Sequence, residues 1–378
     1  MECKRCGNKD PTYFYKGHKG YYCRKCVKFS RVLIQEDINA SEYDIDANVG
    51  DYSFSYKLTD KQIEASRNCL KGLLDGNDIL LNSICGSGKT EIVVESISHY
   101  LKQGKKVAYA ISRKEVVIEL ALRFKKIFNN TNVISVYGGH HDVVYGDLIV
   151  CTTHQLYRYY KTFDLLILDE VDAFPLKGNE TLMNIAINSC VGQVVFSTAT
   201  FTEELKQILN KRKYQTIKLF VRPSNKPLKI PTVIYQLKII CIIWMLYISR
   251  SIKGQCIIFV SSIKECTMYY KIMSLFYSCT YVYSDLKDRN KNIKEFKDKK
   301  YKFIVSTLVL ERGVTISGVS IIVLNFNHMF DFANYVQMLG RVGRDVKTND
   351  GDAFIFSNHF DKDIKNTLNY INEANSYL

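Results

Sequence analysis

The stretch Asp78–Glu91, DILLNSICGSGKTE, constrains this chain more than any other. An apolar strand runs into a glycine-rich turn, and the turn runs into the helical pattern EIVVESISHYL. Gly86 and Gly88 let backbone N–H groups turn inward around a phosphate, with Ser87 between them. Lys89 reaches the terminal phosphates, and the Thr90 hydroxyl helps to hold magnesium. The helix that follows points its positive end at the same anion. Ser83 opens the loop where the common pattern has glycine. A strand–loop–helix unit of this kind needs parallel neighbours, and the chain supplies them. KVAYAIS, DLIVCTT, DLLILDE and QVVFSTAT read as buried strands separated by helical patterns, which predicts a parallel sheet covered on both faces.

The second chemical element is LLILDEVDAFP, Leu165–Pro175. Asp169 ends a buried strand and would hold magnesium through water, and Glu170 would polarise the attacking water as general base. Asp172 stands where a carboxylate would couple the nucleotide site to neighbouring loops. Ala173, Phe174 and Pro175 carry no chemistry legible from residue type alone. Other strand ends offer small polar or basic groups: Ser112 and Arg113 in AISRKE, Thr152 and Thr153 in CTTHQL, and the hydroxyls of STAT, Ser197 to Thr200. Such loops hold a nucleic-acid strand by its phosphates. Gln62, in LTDKQIEAS upstream of the phosphate loop, occupies the place of an adenine-reading glutamine.

Three of the five prolines fall at 223, 227 and 231, in RPSNKPLKIP, and mark a domain boundary. Beyond it GQCIIFVSS, YKFIVST, VSIIVLN and GDAFIFS repeat the alternation, so a second α/β domain follows. It carries VSTLVLERGVTI, with Thr307, Arg312 and Gly313, and YVQMLGRVGR, with Gln337, Arg341 and Arg344. Two arginines three positions apart on one helix face suit a γ-phosphate, because guanidinium is planar and always charged. IICIIWMLYI, Ile239–Ile248, is too short to span a bilayer and reads as a buried helix.

Cys3-x-x-Cys6 and Cys23-x-x-Cys26 are separated by 16 residues, the spacing of a four-cysteine zinc site. Four cysteines already fill a tetrahedron, so His18 is not needed as a ligand. The intervening lysines and aromatics offer stacking surfaces for bases, and a purely structural staple is the competing reading. The other eight cysteines are scattered through apolar stretches and behave as small hydrophobes. With no secretory signal at the N-terminus, the expectation is a reducing cytoplasm. The net charge of +14 suits a phosphate polymer, although lysine-rich composition alone would raise it. The expected domains are 1–35, a zinc ribbon; 36–51, an acidic linker; 52–222, the ATP-binding domain; and 223–378, the second domain.

The ordered motifs resemble those of superfamily 2 helicases and translocases over about residues 52–360. The resemblance implies two RecA-like domains in tandem, ATP and Mg2+ in the cleft between them, and single-stranded nucleic acid across their top. It also implies an arginine finger at Arg341 or Arg344, the latter favoured. With the N-terminal ribbon and DEVDAFP included, the chain resembles the ComFA family of competence ATPases along its whole length. That resemblance implies ssDNA-stimulated ATP hydrolysis during uptake of transforming DNA, at the inner face of the membrane by association. The implied partners are single-stranded DNA, the channel ComEC, the small protein ComFC and the loader DprA, and an oligomer is compatible with such a motor. No strand-separating hairpin is evident, which favours translocation over unwinding. Two alternatives stay open: a replication-restart or repair DNA helicase, and a nucleic-acid-binding adaptor with a degenerate ATPase.

Overall fold

Each expected strand forms and enters a sheet by its apolar residues. The structure, a computed structural model, describes residues 1–36, 38, 43–45, 49–311, 316, 318–343 and 351–378. The chain divides into two units, Met1–Ser83 with Gly88–Leu219 and Phe220–Leu378 with Ile84–Ser87.

The first unit begins with a two-stranded antiparallel hairpin, β1 (Phe14–Gly17) and β2 (Gly20–Cys23). Then come α1 (Asp60–Leu74), β3 (Asp78–Ser83), α2 (Lys89–Lys102), β4 (Val107–Ile111), α3 (Lys114–Ile127), β5 (Val133–Val136), β6 (Leu148–Thr152) and β7 (Phe163–Asp169). The unit closes with α4 (Glu180–Asn188), β8 (Cys190–Thr198), α5 (Glu203–Leu209) and β9 (Tyr214–Leu219). Seven strands form one sheet in the order β5-β6-β4-β7-β8-β3-β9, and every pairing is parallel. All seven carboxyl ends therefore share one edge, where ligands of open α/β sheets bind. Side chains alternate between two cores. Ile79, Leu81 and Tyr109 join α1, α2 and α3 on one face. Leu80, Ala108 and Ala110 join α4 and α5 on the other, together with the four N-terminal cysteines and Phe29.

The second unit contains β10 (Thr232–Tyr235), α6 (Lys238–Ser251), β11 (Cys256–Val260), α7 (Ile263–Ser274), β12 (Cys279–Val282), α8 (Arg289–Lys297) and β13 (Phe303–Ser306). It ends with β14 (Ser320–Asn325), α9 (Phe332–Leu339), β15 (Ala353–Ser357) and α10 (Lys362–Asn375). Its six-stranded sheet, β10-β15-β14-β11-β13-β12, is also wholly parallel. The fold is thus α/β, two parallel sheets each flanked by helices, with a four-cysteine cluster at the N-terminus.

Two expectations fail. α9 ends at Leu339, so Arg341 stands in the turn beyond it and not on a helix face. Ile239–Ile248 is helical, within α6, but the helix is not buried. Cys241, Met245 and Ser249 face the core, whereas Ile239, Ile243, Trp244 and Tyr247 are exposed. A run that is apolar all round has no periodicity to separate its two faces, so the sequence pattern could not show which one lacks a cover.

Of the expected linker, residues 37, 39–42 and 46–48 lie outside the described residues. Its described part touches the first unit, where the Tyr43 ring lies 5.0 Å from that of Tyr145.

Candidate nucleotide site and metal centre

The strand-to-helix turn after β3 has the backbone that its glycines permit. Gly86 and Gly88 have φ of 82° and 92°. Gly88 is also the N-cap of α2, and no side chain caps that helix. Its first-turn N–H groups are thus donors without the usual side-chain acceptor. A Cβ on Gly88 would overlap the side-chain amide of Gln62, so both conformation and space demand glycine there. Gln62 is buried. Its Oε1 accepts the Thr59 N–H (3.0 Å) within a capping box that starts α1, and its Nε2 faces Gly88. Lys89 and Thr90 open α2, and Ser87 is fully buried before them. Glu91, next in line, pairs with Arg123 and accepts the Tyr56 hydroxyl (2.5 Å).

Asp169 ends β7 at the same sheet edge and is held by three donors. The Tyr109 hydroxyl donates to its Oδ2 (2.7 Å), and the Ser197 hydroxyl (2.7 Å) and Glu170 N–H (2.9 Å) donate to its Oδ1. The Tyr109 phenol is almost wholly buried and ties β4 to the end of the carboxylate strand. Burial first, and then the Asp169 charge, pushes that phenol well above its usual range and keeps it a donor. Glu170 has φ of 55°, a left-handed conformation that costs a non-glycine residue about 1–2 kcal/mol. Two residues on, Asp172 is 2% exposed and accepts the Thr200 hydroxyl (2.7 Å). Thr198 in turn donates to the Thr200 carbonyl (2.7 Å). Asp169 and Asp172 of DEVD are thus each held by a hydroxyl of STAT. Beyond them the Phe174–Pro175 peptide is cis, and the Phe174 side chain stands 86% exposed.

Ser112 and Arg113 follow β4, and Thr152 and Thr153 end β6, all on the shared edge. The Ser112 Oγ and Thr153 Oγ1 atoms are buried without a hydrogen-bond partner among the described residues. In the second unit Thr307 follows β13. Arg341 is almost wholly buried, with its Nε donating to the Glu311 carbonyl (3.0 Å). Arg222 donates to the carbonyls of Gly340 (2.7 Å) and Val342 (2.7 Å), anchoring the turn that follows α9. Arg312, Gly313 and Arg344 lie outside the described residues.

The Cys3, Cys6, Cys23 and Cys26 sulfurs are buried and lie within 4.8 Å of one another, with Cys3–Cys26 at 3.7 Å and Cys6–Cys23 at 3.8 Å. Tetrahedral Zn–S bonds of ~2.3 Å give sulfur–sulfur edges of about 3.8 Å, so the donor set fits zinc. Arg5 ties the cluster together by donating to the carbonyls of Cys26 (2.6 Å), Phe29 (3.3 Å) and Ser30 (2.6 Å). The module also docks on the body of the first unit. Asn184 donates to the Cys6 carbonyl (3.2 Å) and Asn188 to that of Arg5 (3.0 Å). The Phe29 ring lies 6.1 Å from His154 and 5.9 Å from Tyr157, both in the short helix after β6.

Sequence reasoning missed Tyr109, the Tyr56–Glu91–Arg123 cluster and Arg222. Tyr109 sits inside a strand whose five residues are all buried and so reads as core. Nothing in residue type marks its hydroxyl.

Residues 59–208 match the DEAD/DEAH box helicase family, and residues 237–346 match the helicase conserved C-terminal domain. The chain is 29% identical to a competence protein ComFA from Bacillus subtilis, an alignment covering 95% of this chain and 82% of that one. It is 28% identical to a ComFA from Streptococcus pneumoniae, covering 99% and 90%. In fold it is similar to Saccharomyces cerevisiae Dbp5 bound to RNA and ADP–BeF3, with TM-score 0.57 and 18% identity over 85% of this chain and 92% of that one. It is also similar to the Mycobacterium smegmatis helicase Lhr bound to ssDNA and AMP-PNP, with TM-score 0.59 and 14% identity over 84% and 50%.

Proposed function

We propose that this chain, a ComFA-like superfamily 2 protein, is an ATP-driven motor that moves along single-stranded DNA and serves DNA uptake in natural competence. The coarser part stands on the matched domains: a helicase-type ATP hydrolase that uses ATP and Mg2+. The observation that supports the motor reading most is the sheet order: β3, which leads into the phosphate loop, and β7, which ends at Asp169, flank β8 and open on the same edge. There the Tyr109 and Ser197 hydroxyls fix the Asp169 carboxylate.

In this reading the α2 N-terminus and Lys89 take the β- and γ-phosphates, with Gly86, Ser87 and Gly88 wrapping them. Gln62 reads the adenine. Magnesium, held by Thr90 and Asp169, neutralises charge on the phosphates. Glu170 accepts the proton of the attacking water. Arg344, favoured over Arg341 by the family likeness, steadies the charge that develops on the transferred phosphate, and Gly313 belongs to the nucleotide-responsive segment. The Asp172–Thr200 bond carries the state of the nucleotide to the loops that hold DNA. Ser112, Arg113, Thr152, Thr153 and Thr307 take its phosphodiesters; the two orphan hydroxyls are donors in need of such an acceptor. Zinc bound by Cys3, Cys6, Cys23 and Cys26 fixes the N-terminal module against the helix that carries Thr153. ComEC, ComFC and DprA are the partners inherited from the ComFA likeness, with work at the inner membrane face.

The test is ATP turnover by the full chain with ssDNA, dsDNA and ssRNA across a salt series. Stimulation by ssDNA above the other two is expected. Lys89→Ala should abolish turnover, and Glu170→Gln should abolish hydrolysis while leaving ATP and DNA binding intact. Unchanged turnover in Lys89→Ala sinks the ATPase assignment, and equal stimulation by ssRNA sinks the DNA assignment.

A further inference from the structure

β5 runs into a tight turn whose rings have no part in ATP chemistry. The Tyr137 N–H donates to the His140 carbonyl (3.0 Å) and the His140 N–H to that of Tyr137 (2.9 Å), with Gly138 and Gly139 at the apex. Gly139 has φ of 80°, and a Cβ on either glycine would meet nothing within 4 Å, so the space over the turn is open. Such a turn is closed by its glycines and its two backbone bonds, and needs no rings. Yet the Tyr137 and His140 rings lie stacked, 4.9 Å between centroids and 26° between planes. The Lys114 ammonium stands 4.8 Å from the centre of the Tyr137 ring. Tyr137 is half-buried against the core of the first unit, whereas His140 is exposed and offers an open face. The turn stands at the carboxyl edge of the sheet. Val136, Cys151 and Ala110 pair across β5, β6 and β4. Counted on from that row, Tyr137 leaves the edge level with Thr152, and Gly138 level with Thr153 and Ser112. The hydroxyls of Thr153 and Ser112 are buried without a partner among the described residues, so this row carries donors in need of an acceptor.

We propose that the stacked Tyr137 and His140 rings are a platform for one base of a single-stranded nucleic acid, at the β5 end of this row. The proposal rests on the nucleic-acid reading above and adds a contact to a base, where the residues named there meet phosphates. Strands about 4.8 Å apart set β4, β6 and β5 across about 10 Å. That span takes about three nucleotides stacked at ~3.4 Å each. A strand whose phosphates accept from Ser112 and Thr153 thus arrives over the glycine turn, where the open space admits a base and the His140 face meets it. The glycines keep the apex low, and Tyr137 backs the imidazole from the core side. Lys114 adds positive charge beside the same nucleotide. Stacking on a π-face accepts any base, so the platform grips the polymer without sequence preference, as movement along it requires.

The full chain is titrated, by fluorescence anisotropy at one salt concentration, with an end-labelled oligothymidylate and with an abasic deoxyribose–phosphate strand of the same length. The wild type should bind the strand that carries bases about fivefold or more tightly. His140→Ala keeps the backbone bonds of the turn and should lose most of that preference, while binding the abasic strand as the wild type does. His140→Tyr restores a π-face and should restore the preference. Equal wild-type affinity for the two strands overturns the proposal and needs no variant. An unchanged preference in His140→Ala with wild-type circular dichroism overturns it too. An equal loss on both strands replaces the base with a phosphate contact at His140. In each of these cases ssDNA-stimulated ATP turnover by the wild type still stands, so the platform fails apart from the motor. Single-stranded DNA that neither binds nor stimulates the wild type removes both.

Discussion

Removing zinc, the ion proposed for the four-cysteine cluster, should unfold the first thirty residues and leave the sheet of the first unit standing. In Met1–Ser30 the buried apolar side chains are the four cysteines and Phe29. Burying Phe29 contributes about 1.5–3 kcal/mol and each thiol on the order of 1 kcal/mol. Hydrogen bonds of the hairpin, of Arg5, and from Asn184 and Asn188 add on the order of 10 kcal/mol at about 1 kcal/mol net each. Ordering thirty backbone units costs on the order of 30 kcal/mol even at the low end of the range. The protein groups alone thus fall short by on the order of 10 kcal/mol, and a four-thiolate zinc ion supplies about 10–16 kcal/mol. The assay is hydrogen–deuterium exchange on the full chain, as purified, after chelation, and as Cys23→Ser, Cys26→Ser. The amides of Cys3, Gly7, Arg24 and Phe29, all bonded here, should lose protection, while β3, β4 and β7 keep theirs. A smaller loss should appear in Thr153–Arg158, against which Phe29 packs. Unchanged protection at Cys3–Phe29 in protein shown by metal analysis to be zinc-free would refute the reasoning, because the module would then hold without an ion.

Three further outcomes follow from particular hydrogen bonds. Tyr109→Phe keeps the ring and deletes one bond to a buried carboxylate, worth about 1.5–3 kcal/mol; the Mg2+ concentration for half-maximal ATP turnover should rise about tenfold, measured by Mg2+ titration. Thr200→Val is nearly isosteric and takes one donor from Asp172; basal turnover should stay within a few-fold while nucleic-acid stimulation falls, seen as the ratio of the two rates. Arg222→Gln removes the charged donors to Gly340 and Val342; the second unit should lose about 2–4 kcal/mol, seen in calorimetry as a lower Tm for one transition only.

What was legible in the sequence divides by whether the chemistry constrains residue type or only position. The phosphate loop requires glycine at positive φ and a helix directly behind it, so GSGKT declares itself. The strands declare themselves because a parallel sheet buried on both faces takes unbroken apolar runs, and β3, β4, β6, β7 and β8 stand where those runs lie. The cysteine pairs fix a donor set by spacing alone. Partners across the sheet edge are another matter. That Asp169 meets Tyr109 and Ser197, and Asp172 meets Thr200, depends on which strands are neighbours. β4 lies beside β7 although β5 and β6 come between them in the chain, so the Tyr109–Asp169 pairing cannot be read from the succession of strands. Arg222 is hidden for the same reason: its acceptors lie more than a hundred residues away and are backbone carbonyls, which no residue type marks.

The segment Ala173–Pro175 shows how far such reasoning extends. Asp172 is held by a bond from the next strand, and Glu170 is set in a left-handed conformation beside it. The chain must then leave the sheet edge without disturbing either group. Ala173 is buried and its N–H returns to the Glu170 carbonyl (3.0 Å), closing a turn over the carboxylates, and the Lys177 N–H bonds the Ala173 carbonyl (2.9 Å) to close the next. Ala173 is therefore small because it sits inside a turn, a structural demand that any chain with this geometry would share. Phe174 is different. At 86% exposure it contributes almost no burial to the fold, and nothing in the first unit requires an aromatic there. Substituting serine should leave stability within about 0.5 kcal/mol. A fall in nucleic-acid-stimulated turnover in that variant, with basal turnover intact, would assign the ring to the polymer. Equal rates would leave Ala173 as the residue of this segment that the geometry explains.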